Sequence, residues 1–276
     1  MVPEPIGLIA GNGTFPLLVL RAARARGHDV AVVAIEGEAP RSIDALAASL
    51  GGTSVRWLPA GELGQCIASL RDAGVTHAIM AGQVRHASMF GGIRPDATLQ
   101  GALAGLTSRN TDALVSAIAA VLQQHGIGVI DSTSLLTDLL AAPGVLTRAA
   151  PTNAMLADFA FGYAVADTVA GLDIGQTIVV KDRAVVAVEA MEGTDDVIAR
   201  AGGLAGSGTR VVKVAKPAQD MRFDVPVIGV RTIDRMQAAG ADGLSIDAGK
   251  TLVIDGPAVI DAADRAGVVI VGRRRP

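Results

Sequence analysis

Cysteine and long apolar runs are scarce in this chain, and each scarcity excludes a class of protein. Cys66 is the single cysteine among 276 residues, which excludes an internal disulfide framework and any zinc site built from several cysteines. No apolar run approaches the roughly 20 residues that a helix needs to span a bilayer. The N-terminus lacks the basic and apolar regions of a signal peptide. These absences predict a protein of the reducing cytoplasm.

Net charge and aromatic content limit the classes of partner and of fold that we expect. The formal net charge is −3 at pH 7, so nucleic acid is not expected as a partner. Aromatic residues make up 3% of the chain and apolar residues 50%, so small aliphatic side chains must fill the core. Such a core favours a layered α/β fold over a β-sandwich.

The first half of the chain alternates apolar strands with helices of about ten residues. The predicted strands are 6–10, 29–35 and 76–81, and the predicted helices are 15–26, 63–73 and 111–125. This alternation indicates a parallel sheet with right-handed crossovers. Ligands in such sheets bind beyond the carboxyl ends of the strands, where the loops "AGNGT", "EGEAP" and "AGQVRH" lie.

A glycine turn formed by Gly11, Asn12 and Gly13 separates the first strand from the first helix. The dinucleotide fingerprint requires a third glycine where Pro16 stands, so the fingerprint is broken, although Glu36 lies where a ribose-binding acid would. The amide groups at the helix start can still bind an anion. Three alternatives stay open: NAD, another ligand that carries phosphate, and a turn that is only structural.

The second half follows a different pattern, in which hairpins and helices mix. Residues 136–150 carry Pro143 and Gly144 and indicate a linker between a domain of residues 1–135 and a domain of residues 151–276. The predicted elements are the helix 155–171, a hairpin of strands 177–181 and 184–189, a helix with Thr194 as its N-cap, the strand "TRVVKVAK", the extended segment "RFDVPVIGV", a hairpin in "GLSIDAGKTLVID", the helix "PAVIDAADRAG" and the strand "VVIVG". This mixture predicts an α+β domain.

Polar residues concentrate in two stretches of the second half. The first contains Glu189, Glu192, Thr194 and Asp195, and the second contains Lys213, Lys216, Gln219, Asp220, Arg222 and Asp224. Alternate side chains of an extended segment share a face, so Asp220, Arg222 and Asp224 are expected to point together. Such acids can hold a hard cation or orient water, while the cations neutralise phosphate charge. Surface ion pairs explain the same residues without chemistry, and this alternative stays open.

The chain resembles a known enzyme family over nearly its whole length. The similarity begins at "GLIAGNGTFP", passes through "AGQV" and "TDALVSAI", and is densest in "LDIGQTIVV", "AVEAMEGTD", "KPAQDMRFDVPVIGVRTI" and "AGKTLVID". It is similar to the LpxI-type UDP-2,3-diacylglucosamine pyrophosphatases of lipid A biosynthesis. The resemblance implies hydrolysis of the substrate's pyrophosphate to UMP and 2,3-diacylglucosamine 1-phosphate (lipid X). It also implies that water attacks the phosphorus nearer the sugar, with magnesium (Mg2+) as the metal.

The resemblance further implies an architecture and the role of one residue. It implies an N-terminal Rossmann-like domain and a C-terminal α+β catalytic domain, with the substrate in a cleft between them. The family's key acid corresponds to Asp224 in "RFDVP". Our own hypothesis is that Asp224 binds magnesium or orients the attacking water. Asp220 corresponds to a position at which relatives can carry glutamate, which weakens a strict ligand role for it.

The remaining assignments rest on chemistry alone. The expected catalytic residues are Asp224, Asp220, Lys213, Lys216 and Arg222, the last three as candidates to stabilise the leaving phosphate. The expected substrate-binding residues are Gly11, Asn12, Gly13, Gly82, Gln83, Asp173, Gln176, Thr194 and Gln219. The expected magnesium ligands are Asp224, Glu189, Glu192 and Asp195.

A lipid-linked UDP-sugar as substrate predicts peripheral contact of a cytoplasmic protein with the inner membrane. Two basic clusters suit anionic lipid, one formed by Arg21, Arg24 and Arg26 and the other by residues 273–275. The helix dipole explains the first cluster equally well. A homodimer is a further expectation. Two other functions stay open: a nucleotide-sugar-binding regulator without turnover, and an NAD(P)-dependent oxidoreductase, against which Pro16 counts.

Overall fold

The protein forms two compact units, and neither is one continuous stretch of the sequence. A computed structural model describes residues 4–84, 94–106 and 111–275. Unit 1 comprises Met1–Thr137 and Asp220–Asp224, and unit 2 comprises Asp138–Gln219 and Val225–Pro276. The chain therefore leaves unit 2 for the short segment Asp220–Asp224 and then returns to it. The domain limits inferred from the sequence, 1–135 and 151–276, do not include this excursion.

Unit 1 contains a parallel sheet, as the sequence predicts. Its strands are β1 (Ile6–Ala10), β2 (Val30–Ile35), β3 (Thr53–Leu58), β4 (His77–Ala81) and β5 (Gly128–Val129). They pair in the order β3-β2-β1-β4-β5, and every pair is parallel. The strand order reverses between β1 and β4. A reversal of this kind is where open α/β sheets bind their ligands.

Helices connect the strands of unit 1. They are α1 (Phe15–Ala25), α2 (Ser42–Leu50), α3 (Leu63–Asp72), α4 (Ala97–Ala104) and α5 (Thr111–Gln124). Pro16 lies in the first turn of α1, where its missing N–H costs no helical hydrogen bond. The sequence pattern does not predict α2, β3 or α4. β3 alternates half-buried and exposed residues at the edge of the sheet, so its apolar signal is weak.

Aliphatic side chains fill the core of unit 1, as the low aromatic content predicts. Leu8 and Ile79 of the sheet and Leu20, Ile43 and Leu70 of the helices are fully buried. Each such burial contributes about 1.5–3 kcal/mol relative to an exposed side chain. The excursion segment adds an aromatic ring, because Phe223 is buried in the cluster that contains Leu70.

Unit 2 contains a mixed sheet. Its strands are β6 (Gly144–Val145), β7 (Thr177–Lys181), β8 (Ala184–Val188), β9 (Thr209–Lys213), β10 (Val227–Ile228), β11 (Ala241–Asp247), β12 (Leu252–Val253) and β13 (Val269–Arg273). Six of them pair in the order β6-β13-β11-β9-β7-β8, parallel from β13 to β9 and antiparallel elsewhere. β10 and β12 form a separate parallel pair. β6 lies in the stretch that the sequence indicates as a linker.

Helices cover both faces of this sheet. They are α6 (Asn153–Gly171), α7 (Thr194–Ala205), α8 (Val230–Ala239) and α9 (Pro257–Ala266), and a short 3-10 helix spans Thr137–Leu139. Alternate strand residues point to opposite faces. Val180 and Val212 therefore join the cluster beneath α6, whereas Val179 and Val211 join the cluster beneath the other three helices.

The predicted hairpin of β7 and β8 is confirmed, and its turn has an uncommon composition. Asp182 and Arg183 both adopt left-handed φ values, of 50° and 59°, which such turns usually give to glycine or asparagine. The buried Asp158 carboxylate accepts hydrogen bonds from both backbone N–H groups, at 3.2 Å and 2.7 Å. It also pairs with Arg210 at 3.0 Å. The hydrogen bonds to Asp158 therefore stabilise left-handed φ values that glycine would adopt without strain.

Two predictions for local structure in unit 2 are wrong. The stretch "GLSIDAGKTLVID" is no hairpin, because β11 and β12 belong to different sheets. The N–H groups of Lys250 and Thr251 both donate to the carbonyl of Asp247, and this turn changes the direction of the chain. Thr194 is also not the N-cap of α7. Gly193 holds that position, and the Thr194 hydroxyl instead bonds to other side chains.

The prediction that "RFDVPVIGV" is extended is wrong for its first residues, although its second part contains the strand β10. Residues 221–223 form a turn or bend, and Asp224 has a left-handed φ of 54°. The Asp220 carboxylate accepts the N–H of Arg222 at 3.0 Å, and the Phe223 N–H donates to the Asp220 carbonyl at 3.3 Å. Local bonds of this kind compete with an extended backbone. The alternation that would align Asp220, Arg222 and Asp224 on one face therefore does not apply.

Candidate active site

The loops after β1 and β4 are joined backbone to backbone at the reversal of strand order. The N–H of Gly11 donates to the carbonyl of Ala81 at 2.8 Å, and the N–H of Asn12 donates to the carbonyl of Gln83 at 2.7 Å. A Cβ on Gly11 would lie 2.7 Å from the Gln83 oxygen, and one on Gly82 would collide with the Asn12 oxygen. The approach of the two loops accounts for both glycines.

This junction brings together four residues that the sequence assigns to substrate: Gly11, Asn12, Gly82 and Gln83. The fifth, Gly13, follows with a φ of 92° and with open space where a side chain would stand. α1 begins two residues later, without an acidic side chain in its first turn. Pro16 has no N–H, and the N–H groups of Leu17 and Leu18 donate to the Thr14 carbonyl, so it is the positive dipole end of the helix that suits an anion.

The excursion segment is anchored to unit 1 by its backbone and by its ring. The N–H and the hydroxyl of Ser132 both donate to the carbonyl of Met221 at 2.9 Å. Within the segment, Arg222 bonds to the Asp220 carboxylate through Nε at 3.0 Å and through Nη2 at 2.6 Å. The Arg222 guanidinium lowers the pKa of Asp220 below its usual value. Asp220 and Arg222 therefore form an ion pair with each other.

Asp224 lies close to a second acid of unit 1, which is not among the residues predicted from the sequence. Carboxylate oxygens of Asp112 and Asp224 lie within 4.8 Å of each other, and both residues are half-buried. Asp112 stands in the first turn of α5. Two carboxylates at this separation can share a hard divalent cation, which prefers oxygen ligands. The only sequence signal for Asp112 was its place in "TDALVSAI".

In unit 2, hydrogen bonds hold the loop that follows β9. The Lys216 ammonium pairs with Asp173 at 2.5 Å, and the side-chain oxygen of Gln219 accepts the N–H of Lys216 at 3.0 Å. Asp173 has a left-handed φ of 55°. Asp247, which is 1% exposed at the end of β11, accepts the N–H of Ala215 at 2.9 Å. These bonds bring together three predicted residues: Lys216, Asp173 and Gln219.

Lys213 ends β9 in a buried polar network. Its ammonium donates to the Thr194 hydroxyl at 2.7 Å and to the Thr177 hydroxyl at 3.3 Å. The Thr194 hydroxyl donates to Glu189 Oε1 at 2.8 Å, and the N–H of Gln176 donates to Glu189 Oε2 at 3.1 Å. Lys213 and Glu189 are 6% and 8% exposed. Four predicted residues, three from the two polar stretches and Gln176 from outside them, thus meet in one network, together with Thr177.

Glu192 and Asp195 bond to arginines instead of to that network. Glu192 pairs with Arg200 at 2.6 Å, and Asp195 pairs with Arg231 at 2.6 Å. Slight desolvation raises the pKa of the Glu192 carboxyl, but hydrogen bonds from the backbone and from Arg200 outweigh it, so this pKa lies below its usual value. In the described part of the chain, these two acids and Glu189 do not form a group of three metal ligands.

Comparison with known proteins gives a match over both halves of the chain. Residues 5–139 match the model of the LpxI N-terminal domain, and residues 142–271 match that of the LpxI C-terminal domain. This chain belongs to the LpxI family.

A curated relative supports the same membership. The chain is 32% identical to the UDP-2,3-diacylglucosamine pyrophosphatase LpxI of Caulobacter vibrioides, over 97% of this chain and 96% of the relative. The predicted LpxI membership is therefore confirmed. Among the described residues of this LpxI-family chain, no helix is long and apolar enough to cross a membrane.

Proposed function

We propose that this chain hydrolyses the pyrophosphate of UDP-2,3-diacylglucosamine and releases UMP and lipid X in lipid A biosynthesis. The observation that carries the proposal is the match of both LpxI domains, together with a relative of that name along nearly the whole chain. In the reaction, a water oxygen bonds to the phosphorus nearer the sugar. The bond from that phosphorus to the bridging oxygen breaks, and UMP leaves with the bridging oxygen.

We propose Mg2+ as the cofactor, held in unit 1 by Asp224 and Asp112. Their oxygens lie within 4.8 Å of each other, a separation that one divalent cation can bridge. Bound magnesium would lower the pKa of water and neutralise charge on the phosphate oxygens. Glu189 fits a ligand role less well, because both of its oxygens accept protein hydrogen bonds. Glu192 and Asp195 fit less well because arginines pair with them.

Lys213 is our candidate for the cation that stabilises the phosphate of departing UMP. An ammonium has three N–H donors, and the hydroxyls of Thr177 and Thr194 account for two of them. Preorganised donors of this kind stabilise charge that develops in the transition state. Lys216 and Arg222 are weaker candidates because each already pairs with an aspartate.

Peripheral contact with the inner membrane and a homodimer belong to the same proposal. Some of the arginines expected to meet lipid have protein partners: Arg24 pairs with Asp29 at 2.7 Å, and Arg275 pairs with Asp167. Arg21 and Arg274 are exposed and better placed for anionic headgroups. Sedimentation with vesicles of anionic lipid tests this contact. The wild type is compared with a double variant, Arg21→Gln and Arg274→Gln, which lacks both charges.

The reaction is tested by incubating the pure protein with dispersed UDP-2,3-diacylglucosamine and magnesium, with and without chelator. We expect UMP and lipid X in equal amounts, and their loss when chelator removes the metal. In water enriched in oxygen-18, the label should enter lipid X and not UMP. Label in UMP would place the attack on the other phosphorus. Absence of both products would favour the regulator that binds a nucleotide sugar without turnover.

Asp224→Asn is the matched variant for this assay. The amide keeps the shape of the carboxylate but loses the charge that would hold magnesium or orient water. We expect hydrolysis to fall by about 100-fold or more, as removal of one central electrostatic group does. The midpoint of thermal unfolding should stay close to that of the wild type. Near-normal turnover in this variant would remove Asp224 from the site.

A further inference from the structure

Lys213 differs from the other two candidate cations in the groups that surround it. Lys216 and Arg222 are each paired with an aspartate. Lys213, in contrast, has no carboxylate at ion-pairing distance among the residues that the structure describes; two hydroxyls accept its hydrogen bonds. Its charge is thus oriented by neighbours without being neutralised by direct contact with an acid.

Three elements converge to build this arrangement. Thr177 begins β7 and lies directly opposite Lys213 in the antiparallel pairing of β7 with β9. Thr194 begins α7, and Glu189 follows β8, from where its N–H donates to the Thr177 carbonyl at 2.8 Å. Sheet pairing therefore fixes one hydroxyl, and the start of a helix fixes the other. Both hydroxyls belong to residues on rigid elements, which hold a site more accurately than loops do.

The Thr194 hydroxyl does two things at once. It accepts from Lys213 at 2.7 Å and donates to Glu189 at 2.8 Å, as a hydroxyl with one donor and two acceptor positions can. The carboxylate behind it fixes the direction of the O–H bond, so the lone pairs of the hydroxyl face the ammonium. The negative charge nevertheless stays one hydroxyl away from Lys213. This spacing orients the ammonium and leaves its positive charge available to an anion.

We propose that Thr194 is a positioning residue: with Glu189 behind it, Thr194 holds the Lys213 ammonium in place for the departing phosphate. The inference rests on the proposed function, because it assigns Lys213 the leaving-group role. It also gives Thr194 a role different from the substrate contact that the sequence predicts. A positioning residue acts in the transition state, so its loss lowers kcat and leaves KM nearly unchanged.

The test compares three variants with the wild type in the hydrolysis assay. Thr194→Val replaces the hydroxyl by a methyl of similar size, Thr194→Ser keeps the hydroxyl, and Thr168→Val is the control. Thr168 is exposed on α6, and its hydroxyl donates only within its own helix, to the Ala164 carbonyl at 2.9 Å. Thermal unfolding of each variant reports whether the fold is kept. If Thr194→Val does not fold, Glu189→Gln removes the orienting charge instead.

We expect Thr194→Val to lower kcat by about tenfold or more at an unchanged KM, as misplacement of a catalytic group does. Thr194→Ser and the control should stay within about twofold of the wild type. A raised KM with normal kcat would make Thr194 a substrate-binding residue and overturn the inference. Equal loss in the serine variant would overturn it too, because the hydroxyl would then not decide the rate. A wild type without hydrolysis removes the proposed function itself, and this inference with it.

Discussion

Asp224 combines an uncommon backbone conformation with an acidic neighbour. A residue other than glycine in the left-handed region costs roughly 1–2 kcal/mol, so the surrounding structure must hold it there. The hydrogen bonds of Asp220 and the anchoring of Met221 by Ser132 supply that hold. Strain that a structure maintains in this way is a reason to suspect function. Together with the proximity of Asp112, it singles out Asp224 among the acids of unit 1.

Asp247 offers a residue-scale test of burial. Desolvation raises the pKa of its carboxyl, and the Ala215 N–H and the charge of Lys250 compensate only in part. The folded state therefore holds this proton more tightly than the unfolded state. As the pH rises above about 3.9, the ordinary aspartate pKa, ionisation of Asp247 lowers the free energy of unfolding. This loss of stability grows until the pH passes the raised pKa of the folded state. Below both pKa values the effect vanishes.

Asp247→Asn removes this titration. We expect the melting temperature of the variant, minus that of the wild type, to increase as the pH is raised from about 3.9 towards neutrality. Thermal unfolding of both proteins across this range, followed by circular dichroism, gives the difference at each pH. A difference that stays constant with pH would mean that Asp247 has the same pKa folded and unfolded.

At the residue scale, the sequence could indicate chemistry but not proximity. The stretch around Asp224 and the two lysines Lys213 and Lys216 are recognisable because acids and cations crowd there. Asp112 carries no such signal, since it lies in an ordinary helix start more than a hundred residues before Asp224. Lys213 and Thr194 meet only because β9 and α7 pack in one unit. Side-chain pairings of this kind depend on tertiary packing, which one sequence does not display.

At the scale of elements, two adjacent glycines of α7 form a matched pair. A Cβ on Gly202 would lie 2.7–2.9 Å from the oxygen, Cβ and Cα atoms of Ala239 on α8, so one of the helices would have to move. A Cβ on Gly203 would meet nothing within 4 Å. The first glycine permits the close crossing of α7 and α8, whereas the second only weakens the helix.

We therefore expect opposite effects from the same substitution. Gly202→Ala should lower the free energy of unfolding by about 1–3 kcal/mol, the usual cost of overpacking. Gly203→Ala should raise it by about 0.5–1 kcal/mol, because alanine is the better helix former. Urea denaturation of both variants measures the difference. Equal effects would show that the α7–α8 contact adapts to a methyl group without strain.

The sequence predicted the bounds of an element well where a local feature, such as the end of an apolar run or a glycine, marks them. β1 begins and ends where its apolar run does, and α1 ends one residue before the expected limit, close to Gly27. The prediction failed where two strands looked like partners but were not. β11 and β12 are short apolar runs joined by a turn, a pattern that fits a hairpin equally well. Their true partners are β9, β13 and β10, and only tertiary packing decides that.

At the scale of the whole molecule, ligand preference tests the proposed chemistry against its NAD-dependent rival. A ligand that binds only the native state raises its stability, by about 2.7 kcal/mol at a concentration of 100 Kd. We expect UMP to raise the melting temperature and NADH to leave it unchanged. Pro16 breaks the dinucleotide fingerprint, and Gly11 is required by the approach of Gln83. If NADH alone raised the melting temperature, the glycine turn would be a dinucleotide-binding site, and the NAD-dependent function would be favoured.

The excursion of Asp220–Asp224 has a consequence for how the protein is made. Phe223 belongs to the core of unit 1, but the ribosome adds it only after the greater part of unit 2 has been translated. Nascent chains usually fold their first domain early, as soon as its residues have emerged. Here one side chain of the first unit's core is added only when residue 223 of 276 has been synthesised. A gene cut after Thr137 would therefore encode unit 1 without Phe223, because neither unit corresponds to one uninterrupted stretch of the gene.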